Sequence, residues 1–262
     1  MKNTAKFISQ GLLIIIFFAL LGYTVNSCKK QSVNSSLNQK NTYQTLAKTI
    51  SFTDDDIREI ARLHNVYLED MLNAGLSSKT ELADYLIINY PEFQNQNRDT
   101  VIQMIDYLSQ VRQEDLINTI HNHSDKFDHP KLMVNYLNQA YTFLDNFDDS
   151  ILQNLEMQVR TNLSPKEWQV FYLYISLMRA SKQFWVDQGH FNQILSNLPS
   201  GVGAKIDIRE VIASDVLGVS IFVLGVTIFG IFNPVGAIAA LTLSSIGKTA
   251  AIGSISSALK QI

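Results

Sequence analysis

The sequence predicts an all-α protein: a helical bundle followed by a hydrophobic C-terminal helical hairpin. Three observations carry the prediction. Apolar residues recur at three- and four-residue spacing from Phe52 to about Leu198, the period of a half-buried helix. Helix-start signals stand in front of those periodic stretches. Only five prolines break a chain of 262 residues, and no alternating stretch bounded by hairpin turns competes with the helical pattern.

The elements follow in order. Thr53 precedes Asp54, Asp55 and Asp56, carboxylates that suit the positive end of a helix dipole. Ile57, Ile60, Ala61, Leu63, His64 and Leu68 then form one stripe. Ser78 with Glu81 predicts a capping box ahead of Leu82, Leu86 and Ile87. A third helix is expected from near Asp99, running through Val101, Ile105, Leu108 and Leu116 to Ile120. Pro130 is placed to open a fourth, with Leu132, Tyr136, Leu137, Ala140, Tyr141 and Leu144 as its stripe. Ile151, Leu152, Leu155 and Val159 mark a fifth. Ser164-Pro165-Lys166-Glu167 combines an N-cap, a first-turn proline and a capping-box glutamate. The sixth helix behind it is rich in bulky residues, among them Trp168, Phe171, Tyr174, Phe184 and Trp185, which read as core. These six helices predict a bundle over 52–198 with enough chain for its own core.

Beyond Asp215 the character changes. No charged residue occurs from Val216 to Gly247, and Asn233-Pro234 divides that run. Residues 199–262 are therefore expected to form an antiparallel hairpin, with arms from Val216 to Phe232 and from Val235 to about Leu259. Gly218 and Gly225 share a face of the first arm. Gly236, Ala240 and Ser244 fall four apart in the second, followed by Gly247 and Ala251. Such spacing lets helix backbones approach closely, as in membrane helix pairs. Lys248 and Lys260 fit a membrane arm only near an interface, where a long side chain can snorkel. The segment 211–262 is thus expected either to enter a bilayer or to dock on the helical domain or a protein partner.

The N-terminus reads as an address. Lys2 and Lys6 precede the apolar run Gly11 to Tyr23, and small and polar residues lead to Cys28, the single cysteine. The segment Val25-Asn26-Ser27-Cys28 resembles the lipobox of bacterial lipoproteins. That resemblance implies a signal peptide over 1–27, membrane lipid attached through acylated Cys28, and a place in the bacterial cell envelope. Residues 28–51, rich in Ser, Asn and Gln, read as a flexible tether. No acidic residue follows Cys28 before Asp54, whereas surface-displayed Bacteroidota lipoproteins often carry acidic residues there; the comparison implies a periplasm-facing anchor. Phe184-Trp185 and Ala213-Ser214-Asp215-Val216-Leu217-Gly218 resemble uncharacterised Bacteroidota proteins whose Gly/Ala-rich tails are like glycine zippers or hydrophobic bacteriocins.

Little chemistry is written in the residues. A net charge of −3 and the lack of basic patches exclude a nucleic-acid partner. No nucleophile elbow or phosphate-cradling glycine loop is present, so neither enzymatic activity nor a cofactor is expected. His121, His123, Asp125, Asp128 and His129 supply metal-ligand types. His121 and His123 lie two apart and so point to different helix faces. No metal is expected, with His121, His123 and His129 as the candidates if one binds. The expectation is a non-enzymatic envelope lipoprotein whose C-terminal hairpin binds membrane or a partner. The alternatives are a bacteriocin-like or pore-forming protein and, third, a metal-dependent enzyme using the His121–His129 cluster.

Overall fold

The computed structural model describes residues 52–192, 206–227 and 243–261. Among them every regular element is helical. The α-helices are α1 (Asp54–Asn73), α2 (Lys79–Asn89), α3 (Arg98–Leu108), α4 (Gln113–Asn122), α5 (Pro130–Tyr141), α6 (Phe143–Asn146), α7 (Asp149–Asn162), α8 (Pro165–Lys182), α9 (Ile208–Thr227) and α10 (Leu243–Lys260). Cys28, Gly236 and Ala240 lie outside the described residues, as does the expected turn at Asn233-Pro234. Gly225 falls within α9.

Local chemistry starts these helices where the sequence says. Thr53 Oγ1 accepts from Asp56 N at 3.1 Å while Asp56 accepts from Thr53 N at 2.8 Å, a complete capping box. At α2 the box is incomplete. Ser78 caps Glu81 N, but the Glu81 carboxylate reaches one residue further back, to Ser77 N and Oγ. The single helix expected from Asp99 to Ile120 is two helices with a break at 109–112. Arg112 is extended, and Asp115 accepts from Arg112 N at 2.8 Å, restarting the chain as α4. No Gly or Pro marks this break, which is why apolar periodicity ran across it.

The centre of the molecule is built from the C-terminal half. In α10 every residue from Ile246 to Ala258 is buried, on all faces. It packs against α1, α9, α3 and α2, while α8 packs on α9 and α1. The two apolar helices α9 and α10 run antiparallel, since Asp207 N bonds Gln261 Oε1 at one end and Gly253 meets Ser214 further along. Among the described residues no helix is long and apolar enough to cross a membrane. Lys248 does not snorkel. It is 6% exposed, paired with Glu92, and lies 4.2 Å from the Tyr90 ring centre and 4.9 Å from that of Tyr67. A carboxylate and two aromatic faces together allow an ammonium to stay inside.

Small residues set the spacing. A Cβ on Gly247 would stand 3.0 Å from Ile60 O and His64 N of α1. One on Gly253 would stand 2.9 Å from Ser214 O of α9, and one on Gly218 would stand 2.7 Å from Leu108 Cδ2 of α3. Serine and threonine hydroxyls enter this dry region by bonding back to their own helix. Thr249 Oγ1 donates to Ser245 O and Ser256 Oγ to Ile252 O.

A prediction follows for two glycines. Gly→Ala inside a helix gains roughly 1 kcal/mol of propensity. At Gly253 the new methyl meets backbone, which cannot turn aside, so the α9–α10 contact must open at a cost of about 1–3 kcal/mol. Gly253→Ala is therefore expected to lower stability despite the gain. At Gly218 the obstacle is the end of a leucine side chain, and Gly218→Ala should be the milder change. Urea denaturation of both variants checks the order.

Candidate functional site

Most polar chemistry in the core gathers where α1, α8, α9 and α10 meet. Ile57, Ile60, His64, Leu68 and Met71 line the buried face of α1, so His64 takes a core position in an otherwise apolar stripe. Its side chain is fully buried, as is that of Asp215 on α9. His64 Nε2 stands 3.2 Å from Asp215 Oδ2, close but poorly aligned for a hydrogen bond. His64 Nδ1 lies 2.8 Å from Asn65 Oδ1. Ser181 Oγ of α8 donates to Asp215 Oδ2. Beyond α8 the chain makes one π-helical turn, Gln183–Asp187, in which Gln188 N bonds Gln183 O at 2.9 Å. The wider turn re-aims Trp185 inward, and its Nε1 donates to Ser254 Oγ of α10 at 2.7 Å. Ser254 also faces the Asp215 carboxyl. Five residues, one each from α1, α8, the π-helical turn, α9 and α10, thus form one connected cluster.

Burial raises the Asp215 pKa above its ordinary 3.8, while His64, Ser181 and Ser254 pull the other way without cancelling it. Burial disfavours the charged carboxylate, and the polar groups around it offset part of that cost. His64, Ser181, Asp215 and Ser254 are all at 0% exposure, so the cluster lies in the interior. A Ser–His–Asp relay would need the serine on the imidazole; here Ser181 is on the carboxyl instead. What this arrangement can do is pin α9 and α10 to α1 and α8 in one register, because sliding either helix strands buried donors and acceptors.

A second buried carboxylate explains one of the histidines. Glu167 is 1% exposed and accepts four hydrogen bonds, from His129 N at 2.7 Å, His129 Nδ1 at 3.0 Å, Ser164 N at 3.0 Å and Ser164 Oγ at 2.9 Å. Burial alone would raise its pKa, but these bonds win and hold it below the ordinary 4.5. Its stabilisation is thus present above about pH 4.5 and lost as pH falls through the lowered value. Glu167→Gln is expected to cost about 1–3 kcal/mol near neutrality and to flatten the acid limb of the stability curve. Denaturant titrations stepped from neutral to acid pH check both.

His129 is therefore tied to the start of α8, while His121 and His123 lie exposed around the end of α4. Among the described residues no three His, Cys, Asp or Glu side chains gather as a metal would need. Of the small residues predicted to mediate helix approach, Gly218 faces α3, and the Ser244 hydroxyl meets Tyr67 of α1. Gly253, which sets the α9–α10 contact, stands outside the four-residue series read from the sequence. No protein-family model, curated protein or solved structure matches the chain.

Proposed function

We propose that this chain is a non-enzymatic envelope lipoprotein, anchored by acyl chains on Cys28 and facing the periplasm. The observation carrying the reading is the placement of the apolar C-terminal helices. Ionisable groups of the surrounding elements hold them in the core: Asp215 of α9 faces His64 of α1, and Lys248 of α10 pairs with Glu92 of the turn after α2. A segment held in this way serves the domain's own interior, and membrane attachment falls to the N-terminus. Two acyl chains supply stable anchoring where one would be marginal. The closed polar cluster and the lack of a catalytic motif support a binding or structural role over catalysis.

Metabolic labelling with a fatty-acid analogue tests the anchor. Label is expected on the wild type and absent from Cys28→Ala; equal labelling of both would remove Cys28 as the acyl site. The membrane-active alternative requires α9 and α10 to leave the core. Dye leakage from liposomes that disappears on deleting residues 211–262 would replace our reading with that one.

A further inference from the structure

A half-open cleft of about 500 Å³ lies where the start of α4 meets α9 and the end of α10. Ala213 and Leu217 of α9 give it apolar lining. Arg112 and Glu114 line it from the start of α4, Glu210 from the first turn of α9 and Lys260 from the last turn of α10. Both signs of charge are therefore present in duplicate around one small volume.

Charges that share one cleft have the opportunity to pair with one another. Among the described residues none of the four takes part in a salt bridge. Lys260 Nζ makes one long bond, 3.4 Å to Ser109 O. The contrast is local, because Arg209, next to Glu210, pairs with Asp207 and approaches Asp145. Tyr141 adds a half-buried aromatic ring to the lining near Glu210, and a ring face attracts a cation.

We propose that this cleft binds a small zwitterion of the amino-acid or short-peptide class, with its carboxylate between Arg112 and Lys260 and its ammonium between Glu114 and Glu210. A volume near 500 Å³ exceeds what one small amino acid fills and suits a dipeptide with an apolar side chain over Leu217. The proposal does not depend on lipid attachment.

Isothermal titration calorimetry of the full-length protein in detergent tests it with the dipeptide Ala-Leu as probe. N-acetyl-Ala-Leu-amide, which lacks both charges, is the control ligand. Lys260→Met and Glu210→Gln are the variants; both positions are exposed, and circular dichroism verifies their folding. Saturable binding of the free dipeptide is expected, with at least about tenfold weaker binding for the blocked dipeptide and for each variant, a loss of one charged contact. Absence of saturable binding up to about 10 mM would overturn the proposal, since that limit excludes all but negligible affinity. Equal binding of the blocked dipeptide, or unchanged binding to both folded variants, would overturn it as well.

Discussion

Trp185→Ala is expected to be the most damaging single substitution in the core, costing about 4–5 kcal/mol. The side chain is fully buried, packs edge-on against Phe184 at 5.0 Å and donates to Ser254 across the α8–α10 junction. Truncation removes the largest fully buried side chain among the described residues and leaves a cavity between α8 and α10 that rigid helices cannot close. It also takes the Trp185 donor from the Ser254 hydroxyl, which keeps the Asp215 carboxyl as a neighbour. Trp185→Phe separates the two contributions. It keeps most of the ring and loses the donor, so a cost of about 1–2 kcal/mol is expected. Guanidinium denaturation of the two variants checks the difference. If the phenylalanine variant proves as unstable as the alanine one, the hydrogen bond outweighs the packing and the ranking is wrong.

Asp215→Leu is expected to follow, at about 3 kcal/mol, because both His64 and Ser181 then lose their buried partner. Leucine restores bulk but nothing for a donor to bond. Asp215→Asn should cost much less, since an amide still offers an acceptor to Ser181 and a polar group to His64. The pH dependence distinguishes a titrating carboxyl from a merely polar one. The folded pKa of Asp215 is raised, so its contribution is full below 3.8 and is lost as pH rises through the folded value. Wild-type stability should therefore fall across that window, and Asp215→Asn should remove the fall. The effect runs opposite to that of Glu167, whose stabilisation is lost toward acid. A slope that survives in Asp215→Asn would assign the titration elsewhere.

How far the sequence could be read depends on whether the signal was local. Helix starts were legible at Thr53, Pro130 and Ser164, because caps and first-turn prolines act within four residues. The break between α3 and α4 was not, because nothing in its residues forbids a helix; the interruption is held by Asp115 reaching back to Arg112. Half of the central cluster was visible. His64 belonged to an apolar stripe, which marked it as facing the core, but nothing in α1 says what waits there. Asp215 served in the sequence as the edge of the uncharged run, although the structure places it inside the buried part of α9. Its partner is far away in the chain, and pairing over that distance leaves no trace in one sequence. The surroundings of Lys248 were hidden for the same reason. A lysine on an apolar helix suggests an interface when its carboxylate, Glu92, and its aromatic neighbours, Tyr67 and Tyr90, come from the other end of the chain. The small residues of the C-terminal segment did indicate close helix approach. Composition could not say whether the neighbouring helix belonged to lipid-embedded or to water-facing protein.

The central claim is that α9 and α10 belong to the protein's own core. Membrane fractionation of a chain from which residues 1–51 are removed tests it most directly, because the apolar N-terminal run and Cys28 are then gone and only the rest of the chain can hold a membrane. The account predicts recovery in the aqueous fraction without detergent, with a cooperative unfolding transition. Pelleting with membranes and resistance to a carbonate wash would contradict it, and would make the C-terminal helices a membrane element in their own right.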